Sequence, residues 1–227
     1  MLFFNALLPL PNITLYAKNG RGDDYAVTEL NRNKKNVKFY SQMVDYKGED
    51  SGFPSTEEKE KWEDNACGIA CVRMIINTFS RKGGAEKGYW ELLSLAVNNN
   101  AYIEKGWIHQ KLLEILRLHG LDGQCHRNKT IEDLAAAIDS GSICIASVTK
   151  RFIGGQLDEN GAVRARGGHL VVAYDTYYDN GNLAAIICNH PSSLEEWNKA
   201  EWSVDIERWN ASFSGNFIEV FFDWSKA

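Results

Sequence analysis

Near residue 140 the chain changes its hydrophobic period. Before that point apolar residues recur at three and four positions, the spacing of amphipathic helices. Ala70, Cys71, Met74, Ile75 and Ile76 place a helix over Cys67–Phe79, ended at Gly83-Gly84. The same reasoning predicts a second helix over Tyr89–Val97 and a third over Ile108–His119, stopped by Gly120. Thr130-x-x-Asp133 opens a fourth in capping-box style, with Asp in place of Glu, running to Asp139. Beyond it the apolar runs are short and β-branched. Ser142–Thr149 reads as a strand, followed by a Gly-rich loop from Gly154 to Gly168. His169 stands at the mouth of an apolar strand. A second strand, Leu183–Cys188, returns across Asp179-Asn180-Gly181-Asn182, because Asn-Gly favours a tight hairpin. Phe217–Phe222 closes the set. Helices first and strands second give an α+β segregation.

The flanks are less regular. Residues 1–37 read as a short apolar arm and a polar, Asn/Lys-rich connector to a main domain over 38–227. Asp45 to Asn65 is charged, carries Gly48, Gly52 and Pro54, and reads as a surface loop. The apolar start lacks a basic segment and is interrupted by Pro9 and Pro11, so it is expected to pack as an arm or strand. A cytoplasmic protein is the expectation, and a secreted one if a signal peptide has been trimmed. No apolar run is long enough for a bilayer-spanning helix. The net charge of −5 comes without a lysine- or arginine-rich block, which argues against nucleic acid as a partner. Five cysteines, an odd number, argue against a complete disulfide framework. Cys144 and Cys188 lie in apolar strands and read as buried thiols.

The chemistry begins where the polar loop turns into the first helix. A thiol at a helix N-terminus meets the positive end of the macrodipole, which favours its thiolate and lowers its pKa. Cys67 is therefore the candidate nucleophile. Cys71 is its rival one turn on, but is expected to point into the core. Gly68 leaves room for a substrate backbone to approach. His169 is the candidate base, since a neutral imidazole near pH 7 can take a thiol proton. His109 and His119 lie on an amphipathic helix, and His126 near the end of a strand-like run, so they fit less well. Asn189 ends the strand paired with that of His169 and is the candidate to orient the imidazole, with His190 and then Asp175 as alternatives. Gln42 offers a side-chain amide that, with the backbone N–H of Cys67, would stabilise an oxyanion. A zinc site built from Cys67, Cys71, Cys125-His126 or Cys188-x-His190 lacks the usual ligand spacings. No phosphate-binding Gly pattern is present. No metal or cofactor is expected.

The order Gln42, Cys67-Gly68-x-Ala70, Gly168-His169 and a polar step before Pro191 resembles the bacteriocin-leader-peptidase-like branch of the papain-like cysteine peptidases, in its free-standing form. Phe213-Ser214-Gly215-Asn216-Phe217-Ile218 resembles the last strand of such domains, so the likeness spans roughly residues 38–223. Two positions depart from the pattern. Ile69 stands where relatives often carry proline, and His190 intervenes before Pro191, where the third triad residue is usually Asp or Asn. The resemblance implies a papain-like fold, with a helical lobe bearing the nucleophile packed on an antiparallel sheet bearing the histidine. It implies hydrolysis of a peptide or isopeptide bond through a thioester, with a peptide or protein as substrate and small residues such as Gly-Gly before the scissile bond. The same Cys-His site also suits acyl transfer or deamidation, and the scaffold suits a peptide-binding module.

Overall fold

A computed structural model describes residues 35–43, 52–80, 85–152 and 167–221, and the backbone of 15–18 and 24–27. The Met1–Pro9 arm and most of the 154–168 loop lie outside these residues. The helices are α1 (Thr56–Glu63), α2 (Cys67–Phe79), α3 (Tyr89–Asn98), α4 (His109–Leu118), α5 (Ile131–Asp139) and α6 (Ile206–Ser212). Two small hairpins pair β1 (Leu15–Lys18) with β2 (Asp24–Val27), and β3 (Tyr102–Ile103) with β4 (Gly106–Trp107). The main strands are β5 (Asp122–His126), β6 (Ile143–Val148), β7 (His169–Asp179), β8 (Asn182–His190), β9 (Lys199–Asp205) and β10 (Phe217–Phe221). They form one six-stranded sheet in the order β5-β10-β6-β7-β8-β9, with every pair antiparallel.

Period-two alternation divides the core between the two faces of this sheet. Ile143 and Ile145 of β6, Leu170, Val172 and Tyr174 of β7, and Ile218 and Val220 of β10 face one cluster. There they meet Ile69, Val72 and Ile76 of α2 and the buried leucines of α3 and α4. Cys144, Ala146, Val171, Ala173, Ile186 and Phe217 face the other cluster, against Ile131, Leu134 and Ile138 of α5 and Trp209 of α6. Helix α2 is buried over almost its whole length, because it lies between the sheet and α3 and α4. The α+β expectation holds, with helices covering both faces of the sheet.

Three local devices noted in the sequence are present. Thr130 and Asp133 make both reciprocal bonds of a capping box. The β7–β8 hairpin turns at Asn180-Gly181, with φ of +48° and +78°. Helix α2 starts at Cys67 with no side-chain cap on Ala66. The Asp45–Asn65 loop needs correction, since Thr56–Glu63 is helical. Its sequence offers only Trp62 to the core, so no apolar period is visible. Local terms specify it instead: the Ser55 side chain accepts from the Glu58 N–H, and Glu57 and Glu58 sit in the first turn.

Candidate functional site

Cys67 and His169 line one cavity of about 310 Å³, together with Asn65, Tyr102, Trp107, His109, Lys150 and Leu170. Cys67 comes to it as the first residue of α2, and His169 as the first residue of β7. Gly167 and Gly168 precede His169 with φ of +106° and +92°, a backbone that residues with a Cβ rarely adopt. That bend delivers the chain into β7 beside the start of α2. The backbone N–H groups of Leu170, the residue after His169, and of Gly68 and Cys67 favour the Cys67 thiolate.

The protonation states differ from the helix-dipole expectation. Burial pushes the Cys67 thiol above its ordinary value, and it outweighs those backbone donors and the nearby Lys150 charge. Burial likewise holds His169 well below 6.5, helped by His190 and Lys150 and opposed by the Pro191 carbonyl. Both directions favour the neutral forms of the thiol and the imidazole. Cys71, one turn deeper, is fully buried and its thiol is pushed well up.

Gln42 is 3% exposed. Its Nε2 donates to the Glu63 carbonyl at 2.9 Å, which docks it on the segment leading into Cys67. Its backbone carbonyl accepts from the Tyr89 hydroxyl at 3.1 Å. The Gln42 Oε1 is buried without a partner. An amide nitrogen carries two hydrogens, so one N–H remains for another acceptor.

Asn189 must be reassigned. Its Nδ2 donates to the carbonyls of Val37 and Lys38, each at 3.2 Å. Its Oδ1 accepts from the Glu201 N–H at 2.9 Å and the Tyr174 hydroxyl at 3.4 Å. These bonds use the full capacity of a carboxamide and leave nothing for an imidazole. Asn189 instead pins the segment that carries Gln42. The ring beside His169 is His190, with centroids 4.7 Å apart. Asp175, the remaining alternative, bonds its own neighbour, the Thr176 N–H.

Trp107 and Lys150 were not singled out in the sequence. Trp107 Nε1 donates to the Asn65 carbonyl at 2.6 Å, and its ring packs on Tyr102 with centroids 4.9 Å apart. A Cβ at Gly68 would stand 2.6 Å from the Trp107 ring. What approaches Gly68 in this structure is that indole. Gly68→Ala is therefore expected to displace Trp107 from Asn65, with about 1–3 kcal/mol of lost stability. Urea unfolding of the variant measures this. Lys150 is exposed at the end of β6, and no sequence signal marks it, because its place depends on strand pairing. His109, set aside as an amphipathic-helix position, also lines the cavity. Cys67, His169 and Leu170 line the same cavity.

No protein-family model matches the chain, and no curated protein matches it. Solved structures do. A putative C39-like peptidase from Bacillus anthracis aligns with a TM-score of 0.52 at 15% identity, over 84% of this chain and 96% of its own. The fold is that of the C39-like peptidases. The double-glycine peptidase likeness seen in the sequence thus holds at the level of fold. A double glycine motif protease from an AMS/PCAT transporter, solved in complex with the leader peptide, matches 84% of this chain and 95% of its own at 17% identity, with a TM-score of 0.49. The peptidase domain of Streptococcus ComA matches 70% and 93% at 12% identity, with a TM-score of 0.46. Among the described residues, no helix is long and apolar enough to cross a membrane.

Proposed function

We propose that the chain is a cysteine peptidase that hydrolyses a peptide or isopeptide amide bond through a thioester. One observation carries the proposal: on a C39-like fold, a thiol at a helix N-terminus and an imidazole at a strand start open into the same cavity. His169 takes the Cys67 proton as sulfur attacks the substrate carbonyl. The S–C bond forms and the C=O π pair moves onto oxygen. The Cys67 backbone N–H and the spare N–H of Gln42 receive that oxyanion. Collapse breaks the C–N bond, and the imidazolium gives its proton to the leaving amine. Water, deprotonated by His169, then attacks the thioester, and the thiolate recovers the proton as it leaves.

The substrate is a peptide or protein. The aromatic wall of Trp107 over Gly68 suits small residues next to the scissile bond, in line with the Gly-Gly preference that the sequence resemblance implies. A peptidyl-Gly-Gly-aminomethylcoumarin is the direct probe. Wild-type protein is expected to release the fluorophore, and its failure to cleave any member of a Gly-containing peptide library would count against the reading. In the same assay Gln42→Ala is expected to lower kcat on the order of 10²-fold with KM little changed, since an oxyanion donor acts on the transition state. A loss confined to KM would place Gln42 in substrate binding instead.

A further inference from the structure

We propose that His190, and not Asn189, is the residue that positions His169. The inference rests on the peptidase reading above and names a part of that same site. His190 is 1% exposed. Its Nδ1 lies 2.8 Å from the Trp197 carbonyl. A carbonyl only accepts, so Nδ1 carries the hydrogen and Nε2 of the neutral ring is a bare acceptor. That Nε2 is buried with no partner, and so is Nε2 of His169. The two rings stand 4.7 Å apart at 43°. One orphaned acceptor thus sits beside one orphaned nitrogen that carries a hydrogen in the tautomer a base needs. Buried nitrogens without partners are costly, and a bond between these two relieves both.

The assignment fixes the roles of the nitrogens. The resting structure does not hold the bond; in the assignment it forms as the imidazole takes up the thiol proton, with His169 Nε2–H donating to His190 Nε2 and His169 Nδ1 serving as the base. The ring of His190 is itself held in place. Phe152, Trp197 and Trp202 surround it, with centroids 5.9, 6.5 and 5.6 Å away. The Pro191 carbonyl favours the protonated form of His169 but does not bond its Nε2 in this structure. The charges facing the two rings are Lys150 toward His169 and Lys199 toward His190. Both disfavour a proton on the imidazoles. A neutral acceptor therefore holds His169 by direction rather than by opposite charge.

The test combines hydrolysis of the peptidyl-Gly-Gly-aminomethylcoumarin with the pH profile of Cys67 alkylation by iodoacetamide, read by mass spectrometry. The second readout needs no substrate. His190→Phe keeps an aromatic ring in the pocket and removes both nitrogens. It is expected to lower kcat about 10²-fold with KM unchanged, and to move the alkylation profile to higher pH, because the imidazolium loses its acceptor. His190→Gln returns an acceptor and is expected to recover at least about tenfold of that loss. Asn189→Ala is expected to keep the wild-type alkylation profile. Circular dichroism confirms that each variant is folded. A folded His190→Phe with wild-type kcat and profile overturns the proposal and leaves the Pro191 carbonyl as the orienting group. An Asn189→Ala variant that shifts the profile instead also overturns it. Should alkylation of Cys67 be indifferent to His169→Ala, the Cys-His pair itself fails, and this assignment falls with it.

Discussion

Cys67→Ala is expected to reduce peptide hydrolysis by about 10⁴-fold or more, and His169→Ala by a comparable factor. The two losses should not add. The thiol and the imidazole carry out one proton-coupled attack, so once either is gone the other has nothing to act on. The double variant is therefore expected to match the single ones within about threefold. Cys71→Ala is the contrasting case. Its thiol is fully buried below Cys67, so its loss should cost stability and leave turnover near wild type. The measurement is kcat/KM on the fluorogenic Gly-Gly peptide for all four proteins, with urea unfolding alongside. Full additivity of the Cys67 and His169 losses would show that they do not work as a unit.

The second large effect is acid sensitivity of the fold. His169 sits well below its ordinary value, and His190 is pushed down to about 4, in both cases mainly by burial. The unfolded chain holds these histidines near 6.5 and so binds more protons than the folded one below that pH. Their contribution is fully present above about pH 6.5, and it is lost as pH falls toward the folded values. For His190 the loss between pH 6.5 and 4 is on the order of 3 kcal/mol. Urea midpoints from pH 7 to 4.5 are expected to fall steeply for wild type. His190→Phe should lower that dependence by about one proton. An unchanged slope in the variant would mean that His190 is protonated in the folded protein.

The sequence was most legible where local physics decides. The bounds expected for α2, Cys67–Phe79, are those observed, because its apolar period begins at the residue where the polar loop ends. The capping box of α5 and the Asn180-Gly181 hairpin were equally local. Edge strand β9 was not seen, since Lys199–Asp205 carries charges on its open face and only Val204 is fully buried. The pairing of β3 and β4, which brings Trp107 over Gly68, joins two residues to two others and leaves no pattern to read.

The candidate site divides in the same way. Residue types at element ends pointed to Cys67 and His169. The choice between Asn189 and His190 was not readable, because neighbours in a strand face opposite sides and a one-residue slip exchanges them. The register of β8 against β9 shifts between Cys188 and His190, and β7 against β8 shifts between Ala173 and Asp175. Irregularities of that kind re-aim side chains without a mark in the hydrophobic pattern. The balance of effects on the thiol was not readable for a related reason. The helix terminus is visible in sequence, whereas the burial that outweighs it comes from β7 and the aromatic wall.

The most direct test of the central claim is to trap the acyl-accepting atom. A peptidyl-Gly-Gly vinyl sulfone reacts with a sulfur only where a substrate carbonyl would sit. Peptide mapping after a stoichiometric reaction near pH 7 is expected to find the adduct on Cys67, to find none in His169→Ala over the same time, and to leave Cys71, Cys125, Cys144 and Cys188 unmodified. An adduct on the half-buried Cys125, or on Cys67 at a rate unaffected by removing His169, would contradict the account.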